Sequence, residues 1–187
     1  MYNHIVPECY VDTMLVHSFL KIEKNKKCNH KHGCFNVERE LRSGGLKDNF
    51  GVGIIDNDKV EVKYLDEFFI LDTICYQSGE SESLVLWKHN NSKLHHYFIQ
   101  ICPAIEKWIL QVCHESLIDL NDFGLPADLE GIKKITKSQR SSYDDRFVQL
   151  FNVMRQSEHL SIRKLQNWLN ILVKDNYNVD INELKNG

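Results

Sequence analysis

Glu8 and the pair Asp56 and Asp58 are the residues of this sequence best suited to chemistry. Glu8 closes a short apolar run, Asn3-His4-Ile5-Val6-Pro7, and Asp56-Asn57-Asp58 closes another, Phe50-Gly51-Val52-Gly53-Ile54-Ile55. An apolar run bounded by polar residues is what a strand buried on both faces of a parallel sheet looks like. Ligands of such sheets sit beyond the carboxyl ends of the strands, so both acidic groups are expected to face one crevice. Three carboxylates in one place repel each other, and a hard divalent cation relieves the repulsion. Mg²⁺ takes a few carboxylates and keeps water and phosphate oxygens as its other ligands, and Mn²⁺ suits the same donors, which is equipment for phosphoryl transfer. Alone, Asp-x-Asp reads first as a solvated turn capping the next helix. Glu8 is what gives the pair its weight.

Those acids need elements to hold them. Residues 3–7 read as a strand that turns directly into a helix over Tyr10–Ile22, where Met14, Leu15, Phe19 and Ile22 recur at helical spacing. A polar, basic loop follows over 23–33, then a short helix near Asn36–Arg42 that Gly44-Gly45 ends, then the strand 50–55. Leu84–Trp87 and Leu94–Ile101 flank the turn Asn90-Asn91-Ser92, which predicts a β-hairpin at one sheet edge. Pro103 fits the first position of a helix that includes Ala104–Leu110. Ser142–Arg155 and Ile162–Val173 each carry one apolar face, predicting two amphipathic helices packed together. The fold expected is α/β, a mostly parallel sheet with a hairpin at one edge and flanking helices over 1–137, with a helical C-terminal extension over 138–187 packed on it.

The composition agrees with one ordinary folded domain. The chain has 187 residues, 42% of them hydrophobic and 26% charged, enough for one full core and a small appendage. No apolar run reaches the length of about 18 residues needed to cross a bilayer, and the first residues lack the pattern of an export signal, so the cytoplasm is the expected location. Six scattered cysteines do not form a disulfide framework, and reduced thiols are expected. A net charge of −3 argues against coating nucleic acid by charge alone while permitting an acidic site beside a local basic strip.

The spacing of the acids also resembles the Toprim family of topoisomerases, bacterial primases, OLD-type nucleases and small ribosomal-RNA-maturing nucleases. Its first motif, an apolar strand, Glu-Gly, and an Asp four residues after the Glu, is matched in Ile5-Val6-Pro7-Glu8-Cys9-Tyr10-Val11-Asp12 by the Glu and the Asp. Its second, an apolar strand ending in Asp-x-Asp, is matched by Gly53-Ile54-Ile55-Asp56-Asn57-Asp58, and the resemblance covers about residues 1–110. It implies a Toprim-like fold, with Glu8 as general acid/base or ligand, Asp56 and Asp58 on Mg²⁺ or Mn²⁺, and Asp12 supporting the turn. Cys102-Pro103-Ala104-Ile105-Glu106 is similar to the segment from which some Toprim-like nucleases add a further acid, which makes Glu106 a fourth candidate. Cys9 stands where the family has glycine, which bears on how closely a phosphate can approach the backbone there.

Two further groups could bear on function. Cys28, His30, His32 and Cys34 are all acceptable zinc ligands, but their spacing matches no finger pattern, and a solvated loop is the plainer reading. Lys24, Lys26, Lys27 and Lys31, with Arg39 and Arg42, could flank the crevice and contact a nucleic-acid backbone, with Lys133, Lys134, Lys137 and Arg140 as a second basic cluster. The function expected is therefore a metal-dependent nuclease acting on DNA or RNA, with no membrane partner. The resemblance adds a setting in defence against phage or in a mobile element, with a separate ATPase as possible partner. The alternative is a Toprim-like module that has lost catalysis and binds or regulates a partner.

Overall fold

The computed structural model describes residues 2–23, 26–57, 62–79, 81–138 and 143–186. The chain opens with strand β1 (Ile5–Pro7), helix α1 (Tyr10–Phe19) and helix α2 (Cys34–Arg42), then strand β2 (Gly51–Asp56). Strands β3 (Phe68–Cys75), β4 (Glu82–His89) and β5 (His96–Ile101) follow in succession. Helices α3 (Ile105–Glu115), α4 (Leu129–Ser138), α5 (Asp145–Met154), α6 (Leu160–Asp175) and α7 (Ile181–Asn186) complete it.

The five strands form one mixed sheet in the order β1-β2-β5-β4-β3. β1, β2 and β5 run parallel, while β4 is antiparallel to β5 and β3 antiparallel to β4. The apolar run that ends at Ile55 lies between two parallel neighbours, with every residue from Gly51 to Ile55 buried. That double burial is why it shows no alternation of apolar and polar residues. Gly53 has no room for a side chain, because a Cβ there would stand 2.5 Å from the Phe98 ring.

Alternation along β1, β2 and β5 sends side chains to two cores. Ile5, Val52, Ile54, Tyr97 and Ile99 join α1, α3, α5 and α6 in the larger one. Val6, Ile55 and Phe98 join Val37 and Leu41 of α2 and Tyr64 in the smaller one. Phe147, Leu150, Ile162, Leu165 and Trp168 belong to that larger core, so the C-terminal helices share it with the α/β body.

The free edge of β1 is covered by the loop before α2. The N–H groups of Asn29, Lys31 and Gly33 donate to the carbonyls of Ile5 (2.9 Å), Pro7 (3.0 Å) and Glu8 (3.2 Å). Pairing of this kind removes an exposed strand edge.

Three expectations are corrected. The expected hairpin is β4–β5, but it does not lie at the sheet edge: β5 is the middle strand, and the edge belongs to β3, which the sequence did not indicate. Pro103 is not the first residue of α3; Ala104 is its N-cap, and the Cys102–Pro103 peptide is cis. Helix α1 stops at Phe19 rather than Ile22, and Lys21 takes a left-handed conformation with φ 52°.

Candidate functional site

Each acid is delivered by the end of its own element. Glu8 follows β1 and extends its ladder by one bond, its N–H donating to the Ile54 carbonyl at 3.0 Å. Its Oε2 accepts the N–H of Asp56 at 3.1 Å, which ties the carboxyl ends of β1 and β2 together. Asp56 ends β2, and its Oδ1 accepts the N–H of Ile105 at 2.9 Å. Ala104, the N-cap of α3, supplies no side-chain bond, so Asp56 caps that helix from the strand next to β5. Glu106 stands one residue further into α3 and accepts the Thr136 hydroxyl of α4 at 2.6 Å.

Asp12 completes the group from the first turn of α1. Its Oδ2 accepts the Cys9 N–H at 3.0 Å while the Asp12 N–H reaches Cys9 Sγ at 3.4 Å, a reciprocal capping box. The side chain is fully buried, and Oδ1 has no hydrogen-bond partner. Burial, together with the charges of Glu8 and Glu106, pushes the Asp12 carboxyl from its ordinary 3.8 up to about 7. Asp56 is also raised, by burial and by the charges of Asp12, Glu8 and Glu106. Among the described residues no lysine or arginine pairs with Asp12, Asp56 or Glu106. Asp58 lies outside the described residues. Burial pushes the Cys9 thiol well up, with the nearby Asp12 charge adding to it, so Cys9 is a protonated cap rather than a nucleophile.

The donor set consists of hard carboxylate oxygens, which suits Mg²⁺ or Mn²⁺. Among the described residues no three His, Cys, Asp or Glu side chains are grouped so as to hold an ion by themselves. A Mg²⁺ site of one or two carboxylates completed by water and phosphate oxygens needs no such group.

The possible zinc ligands are separated by the fold. Cys28 packs in the larger core and Cys34 in the smaller one, and none of the six cysteines is in a disulfide. His30 and His32 instead stand against the first turn of α1. His30 stacks on Tyr10 with ring centroids 4.2 Å apart, and the exposed His32 meets both rings edge-on. Thr13 donates its hydroxyl to the Cys9 carbonyl (2.9 Å), so at its 3.1 Å contact with His30 it must accept from Nδ1. His30 Nε2 is then the acceptor in its 3.4 Å contact with His32 Nδ1. This tautomer follows from the hydrogen-bond network.

Of the first basic strip, Lys26, Lys27, Arg39 and Arg42 stand away from the acids, while Lys31, whose N–H donates to the Pro7 carbonyl beside Glu8, pairs with Glu40 at 3.0 Å. Lys24 lies outside the described residues. Lys26 pairs with Glu23 at 3.5 Å, and the Lys27 carbonyl accepts from Tyr2, at the opposite end of β1 from Glu8. Arg42 sits at the far end of α2, between Glu38 (3.4 Å) and Glu67 (3.3 Å), and Arg39 is exposed in that helix's last turn. The second cluster comes closer: the bond from Thr136 to Glu106 holds α4 against the acids, with Lys133 and Lys137 on adjacent turns of the same helix. Arg140 lies outside the described residues.

Comparison with known protein families, with curated proteins and with solved structures gives no match for this chain. Among the described residues no helix is long and apolar enough to cross a membrane.

Proposed function

We propose that the chain is a divalent-metal-dependent phosphodiester-processing enzyme of Toprim-like character, a nuclease acting on DNA or RNA. The observation that carries this reading is the gathering of Glu8, Asp12, Asp56 and Glu106 at the carboxyl ends of parallel strands and at the starts of α1 and α3. Asp12 and Asp56 are held there at an electrostatic cost that no basic side chain among the described residues offsets. In the same place the buried Oδ1 of Asp12 has no hydrogen-bond partner.

Asp56, Asp58 and Glu106 would hold Mg²⁺ or Mn²⁺, which when bound supplies charge neutralisation for a phosphodiester and an acidified water. Glu8, fixed by the Asp56 N–H, serves as ligand or as the group that exchanges a proton with water. Asp12 positions the turn through Cys9. Thr136 orients Glu106, and Lys133 and Lys137 offer charge to the backbone of the polymer.

One feature favours the alternative, a non-catalytic binding or regulatory module: the Cys9 thiol occupies the first turn of α1, where glycine would leave the backbone open. Thermal unfolding with and without millimolar Mn²⁺, beside cleavage assays on single- and double-stranded DNA and RNA, decides between the two. Wild type is expected to be stabilised and to cleave. Asp56→Asn, which keeps an acceptor for Ile105, is expected to lose both effects. No stabilisation and no cleavage in the wild type would leave the binding module.

A further inference from the structure

A cleft of about 330 Å³ opens between the C-terminal half of α1 and helix α5, within the size range of sites for small organic ligands. Its lining on α1 begins at Met14, which lies about 200° around the helix from Asp12, so it opens on a different face from the acidic crevice. Lys21, Lys27 and Arg155 line it, and among the described residues no aspartate or glutamate does. In a chain whose net charge is −3, three cations around one cleft without an acid among them is a local reversal of sign.

Among the described residues the cations have no carboxylate partner. Lys21 and Lys27 are exposed and make no ion pair among the described residues. Arg155 spends one N–H on the Ser18 carbonyl at 2.8 Å, which fixes the guanidinium at the wall of the cleft with further N–H groups to give. His17, also in the wall, has a buried Nε2 with no hydrogen-bond partner. A buried polar atom without a partner, beside a cleft, is a place for a ligand atom or a water.

Met14, Ile22 and Val148 give the cleft an apolar wall, and Tyr143, 39% exposed, adds an aromatic ring at its edge. A bare anion would use only the cations. The combination matches a molecule with one strongly anionic end and one apolar, flat end.

We infer that this cleft is a binding site for a small organic phosphate, a phosphomonoester of about mononucleotide size. Arg155, Lys21 and Lys27 take the phosphate, the planar guanidinium suiting two of its oxygens at once. The apolar wall and Tyr143 take the organic body. The inference does not depend on the nuclease reading. Because α1 carries Asp12 at one end and this wall at the other, a ligand held here would act on the helix that bears part of the acidic group.

The test is calorimetric and thermal-shift titration of the full chain in EDTA with AMP, inorganic phosphate and adenosine. AMP is expected to bind saturably and raise the unfolding temperature, phosphate to bind more weakly, and adenosine to have no effect. Lys21→Glu and Lys27→Glu, at exposed positions, should each lower AMP affinity by roughly tenfold or more, as expected for loss of a charge-assisted contact. Val148→Trp should block AMP by volume with every charge retained. Asp56→Asn should leave AMP binding intact, which separates this result from the metal experiment. Absence of saturable AMP binding, equal binding of AMP and adenosine, or full affinity in both charge reversals would overturn the inference. So would a single-stranded oligonucleotide that displaces AMP and binds far more tightly through the same residues, since the cleft would then be part of a polymer track.

Discussion

Asp12→Asn, followed across pH, tests whether the acidic group is as strained as its geometry indicates. The folded Asp12 carboxyl titrates near 7, against an ordinary 3.8 when the chain unfolds. Between these values the folded state holds a proton that the unfolded state has released, so stability must fall as pH rises from about 3.8 to about 7 and then level off. At roughly 1.4 kcal/mol per unit, this one carboxyl removes about 2 kcal/mol between pH 5.5 and pH 8. Asparagine keeps an oxygen for the Cys9 N–H and carries no charge. It also places N–H donors where the unpartnered Oδ1 now stands.

Partly and fully buried histidines act in the opposite direction. His4, His17, His30, His89 and His96 are all lowered by burial, so they withdraw stability as pH falls through their unfolded value near 6.5. The informative quantity is therefore the difference between variant and wild type. Urea denaturation in EDTA at several pH values should show Asp12→Asn gaining on wild type by about 2 kcal/mol from pH 5.5 to pH 8. A difference that stays constant over that range would refute the account of a buried, mutually repelling set of acids. Added Mn²⁺ should shrink the wild-type slope if the acids bind it.

Other consequences are structural. Gly53→Ala should cost roughly 1–3 kcal/mol in denaturation, because the new Cβ meets both the Phe98 ring and, at 2.9 Å, Val37. His159→Ala should cost about 1–3 kcal/mol, since it strips the 2.7 Å partner from Glu115, which keeps Gln111 and the Gln77 N–H, and removes the side-chain cap of α6. If the C-terminal helices were a loosely docked extension, that loss would appear as a separate early transition; sharing one core, they should unfold with the sheet in a single transition. Leu117→Gly should gain about 0.5–1 kcal/mol, because Leu117 is 94% exposed and sits at φ 56°, where glycine alone is unstrained.

What the sequence made legible is what local chain physics decides. The run before Asp56 lies between parallel neighbours, and the helical periodicities of α5 and α6 mark the faces that reach the core. Strand β3 was hidden because it lies at the edge, and its pairing shifts register between Ile70 and Asp72 and between Ile74 and Cys75, which breaks any period-2 pattern. The Asn-Asn-Ser turn announces a hairpin but carries no information about which of its strands lies inward. That was settled by β5, fully buried, pairing with β2.

The candidate site divides along the same line. Glu8, Asp56 and Glu106 each sit at the end of an element that its own neighbours in sequence define, so three apolar segments are enough to bring them into one region. The basic residues have no such anchor. Lys27 is placed by a bond to Tyr2 and α4 by a bond from Thr136 to Glu106, contacts 25 and 30 residues apart in the chain that no local pattern encodes. The loop over 28–33 shows the intermediate case: once it lies extended along β1, period-2 alternation must put His30 and His32 on one side. Cys34 is carried away by the start of α2, so a ligand quartet in sequence becomes a pair of imidazoles beside Tyr10 in space. An acid at a strand terminus can therefore be assigned from the strand, whereas its cationic and imidazole neighbours can be assigned only after the strand's partners are known.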